Sequence, residues 1–306
     1  MALKDYLRKE IVEEADLGYI STEERDRRLV IFDGTGTIAA DRGNAPHAIT
    51  RPSGSNSKLS TSDDDPTLIT KRVSTKGEAS DVLAYLAKPK EEKGLPGVVV
   101  IHENKGLTPH IEDVTRRFAR EGFVAIAPDL LSRRGGTPKF ATASDATAAL
   151  KDIQLGELDD DLMTTVSFLA SDGSVSSENI GVVGFCFGGG MAWRLVTRDT
   201  RVKAAVPFYG VNPNLKYVPK IEATVLAIYG ELDARINAGI DDITEAMQAA
   251  NKTFEKIIYP GAQHAFHNDT NPERYHPEAA KQAWQKTLEW LRRWLTSANP
   301  TVNGFQ

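Results

Sequence analysis

Between residues 68 and 295, short apolar runs rich in Val, Ile, Ala and aromatic side chains alternate with longer stretches of helical periodicity. This alternation narrows the fold more than any other feature. GVVVIH at 97–102, NIGVVGF at 179–185, KAAVPFY at 203–209 and ATVLAIY at 223–229 lack the polar-apolar alternation of a half-exposed strand. Such runs suit strands covered on both faces, which requires a mostly parallel sheet with helical crossovers. Further strands are predicted over 82–87, 123–127 and 254–259, with helices over 111–121, 188–198 and 240–250. Ala280, Trp284, Leu288, Leu291 and Leu295 form one helical stripe, so a closing helix packs on the sheet.

One of these strands runs into Gly184-Phe185-Cys186-Phe187-Gly188, followed by Gly189, Gly190 and a helical pattern. A nucleophile held between glycines at a strand-to-helix turn is a nucleophile elbow, in which only small neighbours fit the tight backbone. Cys186 is the chain's single cysteine, and a lone cysteine is ordinarily a small core hydrophobe. Its placement here argues for chemistry. A thiol of pKa about 8.5 needs a base, and the base needs an orienting group. In α/β-hydrolases these follow in the order nucleophile, acid, histidine. Gly230-Glu231-Leu232-Asp233 succeeds one strand and Gly261-Ala262-Gln263-His264 the next. Asp233 is preferred over Glu231, and His264 over His267 and His276 because it follows its strand most directly. His276 precedes Pro277 at a helix start, His267 is left as a substrate contact, and His47 and His110 are read as structural or exposed. The N-H of Phe187, next after the nucleophile, would face the oxyanion.

Taken together, the GFCFGG elbow, the GELD and GAQHAF loops, Ile101-His102-Glu103 and Pro128-Asp129-Leu130 resemble the dienelactone hydrolase (carboxymethylenebutenolidase) family, α/β-hydrolases with a cysteine nucleophile. The resemblance spans roughly 68–295. It implies that Glu103 sits beside the thiol and takes its proton when substrate binds. It further implies that Asn104 supplies the second oxyanion N-H and that Arg133 binds a substrate carboxylate. The family's histidine loop continues His-Ser-Phe-x-Arg, whereas here it reads His264-Ala265-Phe266-His267-Asn268, which removes half of that carboxylate clamp.

The sequence preceding this domain is of another kind. Residues 1–66 combine a charged helical stretch with a Gly, Ser, Asp and Pro-rich arm, 67–297 form the hydrolase domain, and 298–306 are a tail. The arm offers a route to a homodimer. With net charge -5 among 306 residues and no clustered basic segment, nucleic acid is not expected as a partner. No run approaches the roughly 18 to 20 apolar residues of a membrane span, and a cytoplasmic location is expected. G-x-G-x-x-A at 34–39 is followed by helix-breaking residues rather than a helix, and the aspartates at 159–161 lack calcium-loop spacing. Neither cofactor nor metal is expected. The reading is a hydrolase that cleaves a small-molecule ester or lactone through Cys186, His264 and Asp233. A short-chain carboxylesterase or thioesterase, or a non-hydrolytic ligand-binding or thiol redox-sensing protein, is the alternative.

Overall fold

In the computed structural model, which describes residues 65–77, 80–90 and 92–296, the alternation becomes one eight-stranded sheet. Its strands are β1 (Leu68–Thr75), β2 (Val82–Pro89), β3 (Leu95–Ile101), β4 (Val124–Pro128), β5 (Val175–Phe185), β6 (Val202–Phe208), β7 (Thr224–Gly230) and β8 (Phe254–Tyr259). They lie in the order β1-β2-β4-β3-β5-β6-β7-β8. β1 and β2 pair antiparallel, as do β2 and β4; every later pairing is parallel. The chain divides into two units between Ser60 and Thr61, and the described residues belong to the second. The charged N-terminal stretch predicted as helical, the glycine pattern at 34–39 and the tail lie outside the described residues, as does the arm apart from Asp65 and Pro66.

The helices are α1 (Pro109–Arg120), α2 (Ala143–Lys151), α3 (Leu155–Ser171), α4 (Phe187–Val196), the short α5 (Ala234–Asn237), α6 (Ile240–Ala249) and α7 (Pro277–Leu295). α1 and α7 share one sheet face, where Phe118 and Trp284 bring their ring centroids to 4.5 Å. All five residues of the α7 stripe are buried. Gly181 on β5 admits α7 so closely that a Cβ there would meet Leu295 at 2.8 Å. Each fully buried Leu of this stripe contributes about 1.5–3 kcal/mol by leaving water. Among the described residues, no helix is long and apolar enough to cross a membrane.

Two parts of the domain depart from the apolar pattern. β1 is an edge strand with half of its residues exposed, so it needs no hydrophobic run and shows none. α3 has no counterpart among the predicted helices, and Asp159, Asp160 and Asp161 in it are poor helix formers. Tertiary pairing overrides that propensity. Asp159 holds Arg194 on α4 and Arg198 just beyond its end, and Asp161 holds Arg133 from the segment after β4.

Candidate active site

Cys186 stands at the turn between β5 and α4 with φ 56° and ψ −115°, a region where side chains are strained by about 1–3 kcal/mol. The glycines make that turn possible. A Cβ on Gly184 would sit 1.9 Å from the Gly188 carbonyl oxygen, and one on Gly188 would sit 2.3 Å from that of Ile101. The second contact brings the end of β3 directly against the elbow. Cys186 N-H donates to the Phe208 carbonyl at 3.1 Å, which fixes Cys186 against β6. Phe187 is the first residue of α4 and lies at the end where the helix dipole is positive.

Asp233 follows β7 and His264 follows β8, both at the carboxyl ends of parallel strands. Asp233 is 6% exposed and caps α5, where its Oδ1 accepts from Ile236 N-H. Its Oδ2 lies 2.5 Å from His264 Nδ1. Because a carboxylate only accepts, Nδ1 carries the proton, and Nε2 is the ring nitrogen not engaged by Asp233. Burial opposes charge on this imidazole. The charges of Cys186 and Asp233, with a hydrogen bond to each, outweigh burial and raise His264 to about 10.

The third wall of the cleft is the segment after β3. Glu103 is 8% exposed, and its Oε2 accepts from Asn268 Nδ2 at 2.8 Å. The residue standing where the family resemblance called for arginine thus binds Glu103 as a neutral amide. Thr270 holds Asn268 in turn, donating to its Oδ1 from the backbone and the hydroxyl at 3.0 and 2.6 Å. Asn104 is anchored through its carbonyl, which accepts from Thr147 Oγ1 on α2 at 3.0 Å.

The two residues expected as substrate contacts both have protein partners. His267 is 2% exposed, with its ring 5.0 Å from Phe185 and 5.3 Å from Phe208, so it packs in the core and offers no surface to a substrate. The Arg133 guanidinium is occupied by Asp161, with Nε and Nη2 donating to the carboxylate at 2.9–3.2 Å and Nη2 also to the Glu157 carbonyl at 3.3 Å. Its role as built is to tie the β4 segment to α3. Conversely, Tyr209 at the end of β6 was not singled out in the sequence. It is 1% exposed, adopts φ 37°, and sets its ring 5.0 Å from that of His264. Burial pushes its hydroxyl well above the ordinary tyrosine value, and charge on Glu103, Cys186 and Asp233 adds to that shift. Those three groups therefore converge on one place. Of the non-glycine residues with positive φ, Cys186, Tyr209 and Ala265 all flank this cleft, the usual location of stored backbone strain. No group of three or more His, Cys, Asp or Glu among the described residues is arranged to hold a metal.

A strained elbow at the end of a central parallel strand, with an acid and a histidine on later loops, defines an α/β-hydrolase. The model of the dienelactone hydrolase family matches residues 82–295, and the chain belongs to that family. A Yersinia pestis protein named "Putative carboxymethylenebutenolidase" is 34% identical over 236 residues, covering 73% of this chain and 88% of the relative. The crystal structure of a "Putative Dienelactone Hydrolase" from Klebsiella pneumoniae superposes with a TM-score of 0.68 at 32% identity, over 74% of this chain and 99% of that one. The dienelactone hydrolase from Anabaena variabilis, at 21% identity and a TM-score of 0.59 over 75% of this chain and 100% of its own, shares the fold. Family membership makes the protein a dienelactone hydrolase-like hydrolase that acts on ester or lactone bonds.

Proposed function

We propose that the protein cleaves its ester or lactone by acyl transfer through Cys186. His264 takes the thiol proton, the sulfur attacks the carbonyl carbon, and the carbonyl oxygen becomes an oxyanion held by the N-H groups of Phe187 and Asn104. The tetrahedral intermediate expels the alkoxide, which takes the proton from His264. Water, deprotonated by the same imidazole, then attacks the thioester and releases the acid and the thiolate. Asp233 keeps His264 in the Nδ1-H tautomer and balances the imidazolium. Glu103 is a second proton acceptor in the cleft, restrained until substrate arrives by its hydrogen bond to Asn268.

The reading is carried by one observation, the Asp233-His264-Cys186 chain of interactions that drives His264 to about 10. A substrate without a carboxylate is favoured, because Arg133 is taken up by Asp161 and Asn268 brings no charge. Turnover of p-nitrophenyl esters and a lactone panel, half of it carrying a carboxylate, tests both points. Cys186→Ala is expected to abolish turnover and His264→Ala to lower kcat about 10³-fold or more, with the neutral lactones preferred by the parent protein. If no substrate turns over faster with the parent protein than with Cys186→Ala, acyl transfer through this thiol is wrong.

A further inference from the structure

The Glu103 carbonyl and the Asn104 N-H belong to one planar peptide unit, so whatever holds the first aims the second. That carbonyl is held by His102. The imidazole is fully buried, and its Nδ1-H donates to the Glu103 oxygen at 2.6 Å. Its Nε2 accepts the N-H of Leu130, beyond the end of β4, at 3.0 Å. A backbone N-H can only donate, so Nε2 must be bare and the proton must reside on Nδ1. Burial keeps the ring neutral, lowering its pKa against the opposing pull of Asp129 and Glu103. Gly106 N-H adds a second, longer donor to the same carbonyl at 3.3 Å. The ring also stacks on Phe187, at 6.2 Å between centroids and 19° between planes. One side chain thus holds the Glu103-Asn104 peptide and stacks on the ring of Phe187.

We infer that His102 is a positioning residue of the oxyanion hole, a neutral Nδ1-H imidazole that orients and polarises the Glu103-Asn104 peptide so that the Asn104 N-H meets the developing negative charge. A donor on a peptide carbonyl strengthens the N-H on the other side of the same unit, because hydrogen bonds in series polarise one another. The link to Leu130 fixes the ring from the far side and ties the ends of β3 and β4 together. This inference rests on the acyl-transfer reading, in which Asn104 supplies one of the two donors.

The test separates oxyanion stabilisation from thiol activation. His102→Phe keeps a flat ring on Phe187 and deletes both hydrogen bonds, whereas His102→Asn keeps an amide N-H close to where Nδ1-H stood. Hydrolysis of p-nitrophenyl acetate is expected to lose about 10- to 100-fold in kcat in His102→Phe, with KM within about twofold, and to recover most of that in His102→Asn. Alkylation of Cys186 by iodoacetamide develops no oxyanion and is expected to stay within about threefold of the parent protein in both variants. Three results would each overturn the inference: kcat within threefold in His102→Phe, alkylation falling in step with kcat, or an Asn variant no better than Phe. Should His102→Phe fail to fold, nitrogen-15 NMR of the parent protein decides, since an Nε2-H or doubly protonated His102 at pH 7 contradicts the arrangement. Failure of the acyl-transfer reading looks different, because hydrolysis by the parent protein would then persist in Cys186→Ala or be absent altogether.

Discussion

His264 and His267 belong to one loop and are driven in opposite directions. The first is raised to about 10 beside Cys186 and Asp233, and the second is lowered to about 3, first by burial and then by the charges of His110 and Arg117. Nothing in the residue type separates them; the neighbours do. His267 makes a stability prediction whose sign follows from linkage. An unfolded histidine titrates near 6.5, so between that pH and about 3 the unfolded chain binds a proton that the folded chain refuses. Stability present above pH 6.5 is therefore lost as pH falls, at about 1.4 kcal/mol per unit for this one group. His267→Phe fits the surrounding rings of Phe185, Phe208 and Trp284 and removes the titration. Unfolding free energies from urea titrations between pH 6.5 and 5 are expected to decline less steeply in the variant, by about 2 kcal/mol over the interval. Parallel curves would show that His267 is not the group refusing the proton.

At the scale of elements, the segment after β4 is joined to α3 by Arg133 and Asp161, whose side chains are 12% and 1% exposed. With the pairing of Asp159 to Arg194, this pair explains how two of the three consecutive aspartates sit buried in a helix. It also gives Arg133 a measurable role distinct from substrate binding. Arg133→Ala strands the Asp161 carboxylate in the interior and is expected to lower unfolding free energy by about 3–5 kcal/mol. The KM ratio of a carboxylate-bearing lactone to its neutral analogue is expected to stay as in the parent protein. A rise in that ratio without loss of stability would return Arg133 to substrate binding. The elbow is the other decisive junction, because the close approach of Ile101 to Gly188 is what sets the β3 segment over Cys186.

At the scale of the molecule, every group assigned a role in catalysis or positioning lies in the sheet domain, and the chain divides between Ser60 and Thr61. A chain starting at Thr61 is expected to fold cooperatively and to hydrolyse p-nitrophenyl esters with kcat/KM within about threefold of the full protein, as an independent domain should. Circular dichroism melting and steady-state kinetics check both parts. A tenfold or larger loss of kcat/KM with an intact melting transition would assign the first sixty residues a part in the site.

Much of this architecture is legible in the one-dimensional pattern. Buried parallel strands must be apolar throughout, so β3, β5, β6 and β7 declare themselves, and the glycines around Cys186 mark a turn that few other backbones tolerate. Chain order then points to Asp233 and His264 at the ends of later strands. The pattern is silent on β1, whose edge position needs no apolar run, and on α3, whose buried Asp159 and Asp161 are paired with arginines distant in sequence. It is equally silent on the direction each buried polar group faces. Whether a histidine is a base, a bracket or a core ring, and whether an arginine meets substrate or a buried carboxylate, depends on which groups the fold brings within about 3 Å, where hydrogen bonds and local charge act. That proximity is a property of the tertiary structure alone. The alternation of strands and helices and the single cysteine at its turn are what the sequence by itself determined.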